Sequence, residues 1–535
     1  MRRRRSLSDT IPIRFAQLRA HLAPLALVRV ITLVIAGVII LYTSCETPEH
    51  REERIARMYC GHCHVFPEPA LLDRMTWSQS VLPLMAFHMG ATNSSIITSI
   101  NPADIDYVLS VLPARFIATD EDWQVIKDYY LKNAPDSIRV SHPPIDDTVS
   151  HFRVSTLKNT FEPYVTFLRY DTGREQLYAG TRLMDFFTFN DQLERIDSMK
   201  LSSPPSWMVL QDNKILMTAM GIMDPNDRPA GSVISLQGKT EITLIDSIKR
   251  PVYFEYEDLN GDGARDLVVC GFGNYTGHLS VYDGRDNTEY VLSATPGARK
   301  TIVRDVNQDG KPDIIALFAQ GDERIVLYTN RGNFKFSESH LLRFSPVDGT
   351  SYFEVADFNG DGHFDILVTN GDNADYSMIV KPYHGVTVYE NDGKNAFTER
   401  WFFPMPGASM AMARDYDNDG DLDIAAISFF PDFDNAEDRG FLYFENKGDY
   451  NFKPYRLPAT MVGRWLVMEA ADYDGDGDVD LVLGANNFRG LGAGNDDYEY
   501  WNEHKTALLF LENTLIDDEP DLPGQPNESG TATVE

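Results

Sequence analysis

Five times between residues 258 and 480 this chain repeats one nine-residue pattern and follows it with an apolar run. The fullest copy is Asp472-Tyr-Asp474-Gly-Asp476-Gly-Asp478-Val-Asp480, then Leu-Val-Leu. The others start at Asp258, Asp305, Asp357 and Asp415 and lead into Leu-Val-Val, Ile-Ile-Ala, Ile-Leu-Val and Ile-Ala-Ala. Positions 1, 3, 5 and 9 carry only Asp or Asn, and position 6 is always Gly. The residues concerned are Asp258, Asn260, Asp262 and Asp266; Asp305, Asn307, Asp309 and Asp313; Asp357, Asn359, Asp361 and Asp365; Asp415, Asp417, Asp419 and Asp423; Asp472, Asp474, Asp476 and Asp480. Alternating side chains turn toward one centre, and a hard cation such as Ca2+ takes roughly six to eight oxygens. Gly at position 6 permits a sharp turn with positive φ. A carbonyl near position 7 adds an oxygen, and Asp at position 9 closes the ring. Without a cation these carboxylates would repel one another. Each loop is therefore expected to hold Ca2+.

An EF-hand would place Glu at position 12 and continue as a helix. Position 12 here is Val269, Ala316, Val368, Ala426 or Leu483, so each loop opens into a strand instead. The loops recur roughly every 50 residues, a period typical of units that cannot bury their faces alone. Each unit then repeats a connector and a second strand, such as Arg324-Ile-Val-Leu-Tyr or Gly440-Phe-Leu-Tyr-Phe. Units near 164–200 and 206–245 have the strands without the Asp loop. Residues 152–515 thus read as an all-β propeller of about seven four-stranded blades, with a strand over 152–157 closing the ring. The loops resemble FG-GAP or VCBS-type repeats of the integrin-like Ca2+ propellers, over about residues 253–515. Three connectors are long: Asn370 to His384, Phe429 to Arg439 and Asn486 to Lys505. They would cluster on the face opposite the Asp loops, carrying Tyr383, His384, Asp432, Asn487 and Trp501. They either bind a ligand, pack on one another, or dock the N-terminal domain.

Cys60-Gly-His-Cys63-His64 is the second strong signal, because C-x-x-C-H is a c-type haem attachment sequence. Thiols one helical turn apart can form thioethers to two vinyl groups, and His64 can then reach the iron. A redox pair needs no following His, and a zinc site needs further ligands that this region lacks. Met85 is the expected sixth ligand, with His88 and Met89 as alternatives. A thioether there raises the potential and an imidazole lowers it. Helical patterns over 76–88 and 120–131, and capping chemistry at Asn101, surround the motif. Through its haem motif the region 53–137 resembles a small all-α cytochrome c domain.

Arg2 to Arg5 precede an apolar run from Val30 to Tyr42, then Thr43-Ser44-Cys45. This is export-signal chemistry, and it resembles a bacterial lipoprotein signal with Cys45 as the lipidated residue. Tyr42 stands where such signals carry Leu. The alternative is an uncleaved anchor, although the run falls short of the roughly 20 residues that span a bilayer. Either way the remainder lies outside the cytoplasm, in the periplasm or at the cell surface.

At 535 residues the chain is multidomain. The expected order is a signal over 1–45, the haem domain over 46–137, a linker over 138–151, the propeller over 152–515 and an acidic tail over 516–535. A net charge of −32 excludes nucleic-acid binding, even with bound Ca2+. The expected function is extracytoplasmic electron transfer by haem c, with a calcium-stabilised propeller binding a partner or ligand. The redox partner is a protein or a small-molecule electron donor, and a lipid anchor holds the chain to a membrane. One alternative is an oxidoreductase whose propeller face feeds electrons to the haem; another is an adhesion or scaffold protein. No catalytic constellation stands out. A haem module ahead of such repeats resembles exported proteins of environmental bacteria.

Overall fold

The computed structural model describes residues 47–91, 96–157, 161–211, 214–372, 378–488 and 495–516. The export segment with Cys45, and the tail beyond Ile516, lie outside the described residues. No described helix is long and apolar enough to cross a membrane.

The N-terminal part is helical. Helix α1 (Pro48–Cys60) starts under Thr47, whose hydroxyl accepts from the His50 N–H at 3.3 Å. A helical run follows through Arg74–Thr76, a π-turn over Trp77–Val81, and α2 (Leu82–His88). Helix α3 spans Ile105–Val111, and α4 spans Asp120–Asn133. Thr119 caps α4 through the Asp122 N–H at 3.0 Å, and three acidic residues in its first turn suit the helix dipole. Helix α4 packs on α1, where Tyr59 donates to Asp122 at 3.0 Å. The exposed Arg51–Glu121 pair adds only about 0–1 kcal/mol. Burial decides the packing instead: Trp77 lies 4.3 Å from Tyr130, and each such side chain is worth about 1.5–3 kcal/mol. Trp77 Nε1 still donates to the Pro69 carbonyl at 2.8 Å, so no buried N–H is orphaned there.

The rest forms seven four-stranded antiparallel sheets. Six are consecutive in sequence, over 165–200, 205–248, 251–293, 298–343, 350–404 and 408–456. The seventh takes three strands from 465–513, and its outer strand is Phe152–Thr156 from the other end of the propeller. Phe152 pairs with Asn513 and Thr156 with Leu509, so the strand expected to close the ring does so. The second strand of each Asp-loop blade is wholly buried: Asp266–Gly271, Asp313–Phe318, Asp365–Asn370, Asp423–Ser428 and Asp480–Ala485. Neighbouring blades cover both of its faces, which is why the sequence there is continuously apolar rather than alternating. Outer strands such as Arg195–Lys200 are mostly exposed and polar.

Around the axis the inner strands carry charged and aromatic groups that satisfy one another. Arg414 pairs with Glu354 at 2.9 Å and Arg169 with Glu469 at 3.5 Å, while Lys300 sits 3.7 Å over the Tyr352 ring.

Each Asp loop joins the inner strand of its blade to the second, so the five loops share one face of the disc. The helical module sits on the opposite face. Tyr383 donates to the Leu71 carbonyl at 3.0 Å, Asp104 pairs with Arg228 at 3.3 Å, and Lys249 lies 5.2 Å over the Tyr107 ring. Val347, Ile379 and Tyr383 of the propeller join the apolar cluster of Ile55, Trp77 and Tyr130. The segment between the two parts is fastened to the sixth blade, with His142 on Asp432 at 2.8 Å and Arg439 on the Pro143 carbonyl at 2.5 Å.

Candidate metal loops and haem-attachment site

In each Asp loop the position-1 carboxylate gathers backbone N–H groups. Asp258 accepts from Gly261 and Gly263, each at 2.8 Å, and Asp357 does the same with Gly360 and Gly362. Position 3 accepts from the N–H of position 5, as Asn260 does from Asp262 at 2.9 Å. The glycine at position 6 has positive φ in every loop, from 82° at Gly310 to 101° at Gly477. Position 4 is left-handed as well, which the repeat pattern did not reveal because it varies. It is Gly261, Gln308, Gly360, Asn418 or Gly475, with φ between 57° and 82°.

Position 9 has a role beyond the expected ring closure. Asp266, Asp313, Asp365, Asp423 and Asp480 are fully buried at the start of the second strand. One oxygen accepts from the N–H of position 2 and the other from the N–H at the end of the third strand, over 2.6–3.2 Å. In Asp266, Asp313 and Asp480 each carboxylate oxygen keeps a further lone pair, whereas Asp365 and Asp423 also accept from the hydroxyls of Tyr450 and Tyr443. The residue at the third-strand end is Asn330, Asn391, Asn446 or Asn513 in four blades, and its amide donates to carbonyls of the Asp loops. Asn330 and Asn513 reach into the loop of the preceding blade, at Leu259 and Tyr416.

The loops differ in charge. Asp415, Asp417 and Asp419 bring oxygens within 4.8 Å of one another, as do Asp472, Asp474 and Asp476. In the same two loops the position-7 side chains, Asp421 and Asp478, each keep one buried oxygen without a hydrogen bond. Burial, reinforced by neighbouring carboxylates, pushes Asp421 and Asp478 up to about 6 and Asp480 up to about 8. Asp423 rises to about 7, again through burial first. Orphaned oxygens among crowded carboxylates suit a hard cation. In the first two loops a basic side chain already sits on position 5: Arg285 on Asp262 at 2.7 Å and Lys311 on Asp309 at 3.2 Å.

The other candidate site is at the end of α1. Cys60 is half-buried and Cys63 exposed, and both thiols are free. Burial pushes the Cys60 thiol up to about 11. A redox C-x-x-C relies on a low-pKa thiolate, and burial of Cys60 works against one there. His64 Nδ1 stands 2.8 Å from the Val65 carbonyl. A carbonyl only accepts, so Nδ1 carries the proton and Nε2 is the free ligand atom. Charges on Asp322 and Arg343 of the propeller reach His64. These residues fit covalent haem attachment: two thiols, and an imidazole oriented by its backbone. Met85 packs partly buried against the apolar cluster, Met89 is buried, and His88 is accessible.

The long connectors do not form one open ligand patch among the described residues. Asp432 holds His142, Asn487 accepts from the Arg464 N–H at 3.1 Å, and Trp501 donates to the Met461 carbonyl at 3.2 Å. Tyr383 instead docks the helices.

The FG-GAP-like repeat model matches residues 258–316, 305–368 and 415–483. Each match starts at position 1 of an Asp loop. The crystal structure of RRP9 WD40 repeats is 10% identical, with 69% of this chain and 99% of that chain covered at a TM-score of 0.42. The Neurospora crassa Pan2 WD40 domain is 12% identical, with 68% and 96% covered at 0.41. No curated protein matches the chain.

Proposed function

From the FG-GAP-like repeats of a seven-bladed propeller, a scaffold for binding a ligand or partner, we propose an extracytoplasmic electron-transfer protein. In this reading Cys60 and Cys63 attach haem c and His64 ligates it. The propeller is held rigid by Ca2+ in its Asp loops and presents the haem module to a redox partner. Lipidation at Cys45 tethers the protein to a membrane. The observation that carries the reading is the Cys60–His64 motif with its pre-oriented imidazole, seated over the propeller face. The bound group supplies one-electron exchange; the chain supplies the thiols, the ligand and an enclosing wall.

The test is a pyridine haemochrome assay and elemental analysis on protein matured with its haem-attachment machinery. One haem c per chain and stoichiometric calcium are expected. A chain with intact Cys60 and Cys63 that matures without covalent haem sinks the electron-transfer reading.

A further inference from the structure

We infer that the propeller carries a site for a neutral saccharide, in a cleft between its sixth and seventh blades on the face opposite the Asp loops. The inference goes beyond electron transfer and depends on neither haem nor calcium.

Two short 3-10 turns form the walls: Glu437–Arg439, in the connector between the second and third strands of the sixth blade, and Pro458–Val462, which leads into the seventh. The cleft between them has a volume of about 460 Å³, inside the range of roughly 300–1,000 Å³ typical of small-molecule sites. Both walls are fixed before any ligand arrives. On one, Asp432 holds the His142 ring at 2.8 Å and the Asn435 amide at 3.1 Å. On the other, Trp465 Nε1 donates to the Thr460 carbonyl at 2.8 Å and Trp501 Nε1 to the Met461 carbonyl at 3.2 Å. Trp501 also meets the Phe433 ring edge-on at 5.7 Å. Groups already held in place lose little freedom on binding. Phe433 and Met461 give the cleft an apolar side, and Asp434, Asn435, Asp438 and Arg456 a polar one. The Asn435 amide nitrogen is turned to Asp432, so its oxygen is left to accept. Arg456 donates to Asp438 at 3.0 Å, while its Nε is buried without a hydrogen-bond partner among the described residues. Asp438 therefore does not satisfy that guanidinium. Asp434 is exposed. A carboxylate beside a guanidinium sets an acceptor next to a donor, which matches adjacent hydroxyls that each donate and accept. The electron-rich face of an aromatic ring suits the C–H surface of a pyranose. An anion would be repelled by Asp434 and Asp438, and a cation by Arg456. The ligand that this set of groups accommodates is neutral and rich in hydroxyls.

The test is titration calorimetry and saturation-transfer NMR on full-length protein. The probes are glucose, galactose, mannose, N-acetylglucosamine, cellobiose and maltose. At least one should bind with a millimolar or tighter Kd. The amino sugar and the uronate built on the same ring should bind several-fold more weakly. Asp438→Asn and Phe433→Ala should each weaken binding about tenfold. Asp434→Ala alters only an exposed side chain, so it should leave Tm unchanged and still weaken binding several-fold. No binding by any of the six sugars overturns the assignment. So does a preference for a charged analogue, or an affinity indifferent to Asp438→Asn and Asp434→Ala in protein of native Tm. Failure of haem attachment would sink the electron-transfer reading and leave this result untouched.

Discussion

Asp365 answers three donors at once: the N–H groups of Phe358 and Asn391 and the Tyr450 hydroxyl, at 3.1, 2.9 and 3.1 Å. Asp365→Ala would bury these without acceptors, at about 1–3 kcal/mol each. The expected loss is about 3–9 kcal/mol in urea unfolding, and Asp365→Asn, which keeps one oxygen, should lose less. A loss below the Asn variant's would refute the role. The sequence located these residues but not this duty, because the strand-end partners lie 17 to 33 residues downstream. The charge census makes a separate prediction. Asp476→Ala should lower calcium affinity and the calcium-induced rise in Tm more than Asp262→Ala, because Arg285 already neutralises Asp262. Equal losses in a calcium titration would count against it. The neutralising Arg285 follows the third strand, so no local motif reveals it.

At the level of the loop, acidity should govern stability in a distinctive direction. Asp421, Asp478, Asp423 and Asp480 have folded-state values raised above those of the unfolded chain. Below about pH 4 both states are protonated and nothing is lost. As pH rises, the unfolded chain ionises first, so folding weakens progressively up to about pH 8. Protein in chelator should therefore melt lower at pH 8 than at pH 5.5. Calcium binding to the ionised carboxylates, as proposed, would flatten or reverse that slope. A chelated Tm that climbs with pH would contradict the burial argument. The loop-and-strand unit was legible because its Asp and Asn positions sit within nine residues and its apolar run follows at once. The helical module was legible as helices around the motif, but the π-turn at Trp77–Val81 was not, since periodicity does not distinguish it from regular helix.

Over the whole molecule, the helices and the Asp loops occupy opposite faces, and polar and apolar contacts tie the module to the disc. Tyr383→Phe removes the bond to Leu71, worth about 0.5–1.5 kcal/mol. Combined with Arg228→Ala, it should speed hydrogen exchange in α2 while leaving the propeller's Tm within about a degree. Uniform destabilisation would argue that the two parts melt as one. Of the alternatives left open for the long connectors, docking of the N-terminal helices is the one Tyr383 takes. The short connector carrying Tyr275, whose ring lies 6.2 Å from Phe87 and 5.6 Å from His88 of α2, gave no sign, because composition says nothing about which loop lies beneath a helix. The closing strand has the furthest reach: Arg153 and Glu512 bond across 359 positions of the chain. A polypeptide halted before Leu508 would assemble six finished sheets and leave its first strand without a neighbour. Its raw edges would invite proteolysis or aggregation, and truncations ending near residue 506 should be digested far faster than full-length protein. The ring thereby latches only in a molecule translated through residues 508–513, where the first strand finds its partner.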